Sequence, residues 1–225
     1  MLLLALDTAT DGVAVAVHDG DRVLASARAG TARSHNEVLV PTVAQVLRAA
    51  GRERRDVTDV AVGVGPGPFT GLRVGIATAR TLALAWGARV HGVCSLDALA
   101  AQAVSQGWTG EFLVATDARR REVHTARYAV RDGVLARTAG PDVVRPADVV
   151  GGGGADVPVV GSGTRLYPDL LGGEQGPFEV DGGALAQLVV DALAGRAGLE
   201  LLPPEPLYLR RPDATAPGAR KRVTA

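Results

Sequence analysis

Two aspartates stand where apolar runs stop: Asp7 closes "LLLALD" and Asp117 closes "FLVATD". A carboxylate at the end of a buried strand can hold Mg²⁺ and, through it, the phosphates of a nucleotide. It can equally accept the N–H groups of its own turn. Between the two lies "VGVGPGPFTGLRVG", Val62 to Gly75, dense in glycine and followed by a helical pattern. That outline is shared with phosphate-binding loops, but two tests fail. A P-loop needs G-x-x-x-x-G-K-[ST], and here Gly71 is followed by Leu72 and Arg73. No register through Gly63, Gly65, Gly67, Gly71 and Gly75 supplies G-x-G-x-x-G either. What remains is a strand turning tightly into a helix. Its N-terminal N–H groups could meet an anion, or the glycines could simply let helix and sheet approach closely.

Other chemistry is sparse. The four histidines, His18, His35, His91 and His124, have no H-x₃-H or H-E-x-x-H spacing, so no metal site is written locally. His35 is expected to face solvent beside a helix cap. "GSG" at Gly161–Gly163 lacks the flanks of a nucleophile elbow. The lone cysteine, Cys94, rules out an internal disulfide, adjoins an apolar run and is expected to be a buried, inert thiol. No metal or cofactor is expected.

These residues must be positioned by a chain of 225 residues with 47% hydrophobic content, enough for one large or two small globular domains. A formal net charge of zero gives no global nucleic-acid face. Asp7 interrupts the apolar N-terminus too early for a signal peptide or membrane span, and no later run is long enough to cross a bilayer. A cytoplasmic protein away from membranes is therefore expected. Strands are predicted at Leu2–Leu6, Gly12–His18, Arg22–Arg28, Val57–Val64, Arg89–Val93, Phe112–Asp117, Glu122–Val130, Val134–Arg137 and Val159–Val160. Helices are predicted from Ser34, an N-cap with Glu37 completing a capping box, to Ala50 with a kink at Pro41, and over Thr70–Trp86, Ser95–Gln106 and Ala184–Ala194. Two segments open the same way, as strand, polar turn, strand, hairpin and strand. The pattern predicts an α/β fold of two lobes around a cleft, residues 1–104 and 105–210, with a loose tail over 211–225.

The helix predicted after the glycine-rich turn is the most informative element. Gly71, Gly75 and Ala79 recur every four residues and form a smooth face. Leu72, Ile76 and Ala83 form a second apolar stripe; Val74, Thr78, Leu82 and Ala85 form a third. A helix apolar around most of its circumference must be covered on more than one side, by its own sheet and either by other elements or by another chain.

Together "LDTAT", "SHNE", "VGVGPGPFTGLRVGIATARTLALAWG", "VHGVCSLDALA", "DARRREV" and "PLYLR" resemble the bacterial TsaB family of tRNA threonylcarbamoyladenosine synthesis, in order from Leu2 to about Arg210. That family commonly has Ser where Pro68 stands. The resemblance implies an actin-like, Hsp70-like (RNase H-like, ASKHA) two-lobed fold with mixed sheets. It implies a non-catalytic subunit beside TsaD, the related catalytic protein, and TsaE, an ATPase. That assembly places a threonylcarbamoyl group on the adenosine beside the anticodon of tRNAs reading codons that begin with A, so tRNA is met indirectly. Laying "GVCSLDAL" on the metal-binding "GVNHxxxH" of TsaD puts Ser95 and Leu99 at the histidine positions. The family's first two helices form its docking face. Gly65, Gly67, Gly71, Gly75 and Ala79 are then expected to shape the turn and pack the helix on the chain's own backbone. Leu39, Val43, Leu72 and Ile76 are expected to meet the partner, or a second copy when the chain is alone. Two alternatives stay open: a small-molecule kinase or ATPase using Asp7 and Asp117, and a glycoprotease-like hydrolase.

Overall fold

The computed structural model describes residues 1–30, 35–151 and 157–210. The chain opens with β1 (Leu3–Asp7), β2 (Val13–His18) and β3 (Val23–Ala29), an antiparallel meander. Helix α1 (His35–Ala49) then leads to β4 (Asp59–Gly65), which lies parallel to β1. Helix α2 (Phe69–Trp86) connects β4 to its parallel neighbour β5 (Arg89–Cys94), completing a sheet of order β3-β2-β1-β4-β5. After α3 (Ser95–Ser105) the pattern repeats. Strands β6 (Gly110–Asp117), β7 (Val123–Arg131) and β8 (Val134–Val144) form a second antiparallel meander, and β9 (Val159–Val160) joins parallel to β6. The order β8-β7-β6-β9 matches β3-β2-β1-β4. The duplication expected from the two strand–turn–strand openings is therefore real at the level of topology. Short helices α4 (Pro146–Gly151), α5 (Ser162–Leu166) and α6 (Pro168–Leu171) precede α7 (Gly182–Leu193).

β1 reads as an unbroken apolar run because both faces of the first sheet are covered. Leu4 and Leu6 point into one core with Val15, Val17, Val60 and Val62, packed on α1 and α2. Leu3 and Ala5 point the other way, into a core built with α3, α7 and residues of the second sheet such as Phe112 and Tyr128. Helix α7 thus crosses back to the first sheet. It starts where Asp181 accepts the Ala184 N–H at 2.9 Å, and where a side chain at Gly182 would collide with the backbone of Val15.

Helix α2 is seated by absent side chains. The Gly71 backbone lies so close to the turn after β1 that a Cβ there would fall on the Thr8 carbonyl oxygen, and one at Gly75 on the Thr8 hydroxyl. Thr8 Oγ1 in turn donates to the Gly71 carbonyl at 2.7 Å. A Cβ at Gly67 would strike the Ala9 carbonyl, and Gly65 adopts φ +101°, a conformation that L side chains rarely take. Ala79 is fully buried on the same face. The helix ends on Gly87 in the left-handed conformation, whose N–H returns to the Ala83 carbonyl. Gly71→Ala is expected to destabilise the fold by about 1–3 kcal/mol through overpacking against backbone that cannot give way. Urea titration checks this; an unchanged midpoint would contradict the close approach.

Candidate functional site

Asp7 sits at the C-terminal end of β1 with no exposed surface. Its Oδ1 accepts the Ala9 N–H at 2.8 Å, and its Oδ2 accepts the Ser95 hydroxyl at 2.7 Å. Gly63 has no side chain because a Cβ there would overlap the carboxylate itself. Burial raises the Asp7 pKa above the ordinary carboxylate value, opposed by the hydrogen bonds from Ser95, Ala9 and Thr10. Both oxygens are therefore engaged by the protein's own donors, and neither faces the cleft. Ser95, aligned above with a metal-binding histidine of the family's catalytic relative, serves here as a donor to Asp7. Leu99, aligned with the other, lies in the core with no exposure. Among the described residues no cluster of three or more His, Cys, Asp or Glu side chains could hold a metal ion.

Asp117 occupies the equivalent position in the second lobe and lines the cleft. Its Oδ1 accepts the Arg119 N–H at 2.7 Å, and its Oδ2 pairs with the Arg119 guanidinium at 3.0 Å. Both aspartates thus satisfy turn N–H groups. The turn after β6 is unusual: Arg119, Arg120 and Arg121 have φ of 60°, 57° and 61°. Non-glycine residues pay about 1–2 kcal/mol each in this left-handed region. Beside the turn a cavity of about 230 Å³ is lined by Phe69, Arg119, Arg120, His124, Tyr208 and Arg210, among others. Phe69 stacks on Tyr208 with ring centroids 5.1 Å apart, and the Arg73 guanidinium lies 3.7 Å over the Phe69 ring. Sequence reasoning missed this cluster, because its members come from three segments, around Phe69, Arg119 and Tyr208, that only the fold brings together.

Several expectations need correction. His35 is buried, 4% exposed, and packs against Gly71, with neither ring nitrogen hydrogen-bonded. The proposed cap Ser34 lies outside the described residues, as do the tail from residue 211 and most of the glycine-rich joint before β9. Leu39, Val43, Leu72 and Ile76 are 1%, 3%, 0% and 4% exposed and belong to the chain's own core beneath β1, β2 and β4. Both the glycine face and the Leu72–Ile76 stripe of α2 point inward, because the helix settles into the angle between the sheet, the turn after β1 and α1. The outward side carries Phe69, Arg73, Ala77, Arg80, Thr81, Leu84 and Ala85, with Val74, Thr78 and Leu82 half-buried. Leu84 is 86% exposed. Helix α1 adds exposed Val40, Pro41 and Ala44. Cys94 is buried as expected, and burial pushes its thiol up to about 12.

Comparison with known proteins places this geometry. The family model described as TsaD, tRNA N6-adenosine threonylcarbamoyltransferase, matches residues 28–167. Uncharacterised proteins of Mycobacterium tuberculosis and Mycobacterium bovis are 42% identical over 221 residues, covering 94% of this chain and 93% of theirs. The tRNA threonylcarbamoyladenosine biosynthesis protein TsaB of Escherichia coli is 31% identical over 221 residues, covering 93% of this chain and 95% of its own length. YeaZ from Pseudomonas aeruginosa superposes with a TM-score of 0.78 at 31% identity, over 92% of this chain and 99% of that one. A second Pseudomonas aeruginosa structure, described as similar to peptidase YeaZ, gives 0.79 at 30% identity, over 93% and 99%. The two-lobed actin-like fold is shared over nearly the whole chain, which belongs to the bacterial TsaB family.

Proposed function

We propose that this protein is a non-catalytic subunit in threonylcarbamoyladenosine modification of tRNA, docking on TsaD through the outward side of α1 and α2 and working with TsaE. Membership of the TsaB family supports the pathway. The single observation that carries the docking role is the outward face of α2, where Ala77, Thr81, Leu84 and Ala85 leave a largely apolar strip, with Arg73 and Arg80 the charged residues of the helix itself. A leucine 86% exposed in such a strip is uncovered in the single chain and suits a helical partner. The absence of metal-binding side chains at Ser95 and Leu99 supports assigning the chemistry to the partner. The same face would pair two copies when the chain is alone. Site and partner both suit the cytoplasm, and no helix among the described residues is long and apolar enough to cross a membrane.

The kinase or ATPase reading draws no support from Asp7, whose oxygens are occupied by Ser95 and Ala9. The test is reconstitution: this chain, TsaD, TsaE, tRNA and the threonylcarbamoyl donor, with each component omitted in turn. Modification is expected to collapse when this chain is left out. Full modification in its absence would overturn the proposal.

A further inference from the structure

The cluster beside the second-lobe turn takes Phe69 and Arg73 from the N-terminal end of α2, and its construction is costly. Three consecutive arginines occupy left-handed positions that glycine would take without strain. The turn is held by hydrogen bonds from the Ala118 N–H to the Glu122 carbonyl and from the Glu122 N–H to the Arg119 carbonyl. Arg119 and Arg120 line the cavity, joined by Arg210, against a single lining carboxylate, Asp117. Arg210 also pairs with Glu122 and donates to the Ala118 carbonyl. The Arg210–Glu122 pair is half-buried, whereas Arg119 is exposed beside Asp117. A pair open to solvent on one side contributes little, so an incoming phosphate can recruit the Arg119 guanidinium fork, whose planar geometry suits it.

The cavity has an aromatic side as well. Phe69 and Tyr208 are 42% and 39% exposed, and Arg73 braces them by covering the Phe69 ring and donating from Nε to the Tyr208 hydroxyl at 3.1 Å. Aromatic faces beside arginines suit a base attached to a phosphate better than they suit a bare anion. His124, which lines the same cavity, has a buried Nδ1 with no hydrogen-bond partner. Burial lowers its pKa to about 4, so the ring is uncharged near neutral pH.

We propose that this cavity binds one nucleotide unit, its base against Tyr208 and its phosphate on Arg119, Arg120 and Arg210. Free mononucleotides and unpaired nucleotides of RNA share this chemistry. The isolated full chain is titrated with fluorescently labelled AMP and with a short labelled oligoadenylate, so the result does not depend on TsaD docking. Saturable binding of at least one probe is expected. Tyr208→Ala and Arg120→Gly should each weaken it by about tenfold, the scale of one lost stacking or charge-assisted contact. Because glycine relieves the left-handed strain, Arg120→Gly should melt at or above the wild-type temperature. AMP binding as well as the oligomer would identify a free nucleotide; binding of the oligomer alone would identify RNA. No saturable binding of either probe, or binding that both substitutions leave unchanged, would overturn the proposal.

Discussion

Leu72→Asp is expected to abolish folding rather than to weaken association with a partner. The Leu72 side chain has no solvent exposure and packs in the core between α2 and the first sheet. An aspartate there would place a carboxylate among Leu6, Val62 and Leu39 with no cation to pair it. Burying an unpaired charge costs several kcal/mol even when the group neutralises itself by protonation, and the lost apolar burial adds about 2 kcal/mol. Domains of this kind are stable by about 5–15 kcal/mol in all. Circular dichroism with thermal melting checks this. A Leu72→Asp protein that melts cooperatively near the wild-type temperature would show that this side of α2 is not core.

The second large effect lies between the lobes. Asp97 on α3 is 1% exposed, yet it receives the Tyr128 hydroxyl from β7 at 2.7 Å and the Arg137 guanidinium from β8 at 3.1 Å. Burial raises the Asp97 pKa, opposed by Arg137 and the Tyr128 hydrogen bond, while Asp97 holds Arg137 in its charged form. Arg137→Ala strands the carboxylate and is expected to cost about 3–5 kcal/mol, the range for breaking a buried pair from one side. Pairing it with Asp97→Asn should restore part of the loss, because no charge is then left unpaired. Denaturant unfolding of the two variants measures this. Equal stability of Arg137→Ala and wild type would show that the network is not holding α3 to the second sheet.

What the sequence disclosed follows from the range of the forces involved. Strands β1, β2 and β4 were readable because burial on one or both faces leaves a pattern visible over a few residues. Strand β8 ran to Val144, past the predicted Arg137, because its register with β7 shifts near Arg127 and the apolar alternation breaks. The "GSG" turn proved to open α5, a single helical turn held by tertiary contacts that no local pattern records. The faces of α2 were legible as stripes, but their assignment was not. Three apolar stripes look alike in sequence, and only the position of Thr8 beneath the glycines and of His35 beside Gly71 decides which two turn inward. Partners distant in sequence, such as Ser95 with Asp7 and Tyr208 with Phe69, left no local signal.

The central claim is that the outward strip of α2 is the docking surface. It is tested most directly by calorimetric titration of TsaD with wild type, Leu84→Asp, Ala77→Asp and a control, Leu166→Asp, at an exposed leucine of α5 in the second lobe. The strip is open in the single chain, so the two α2 variants should melt like wild type. A charge in the centre of a desolvated interface should weaken association by about a hundredfold, or roughly 2.7 kcal/mol. Leu166→Asp should bind TsaD as wild type does. Normal binding by both Leu84→Asp and Ala77→Asp would contradict the account.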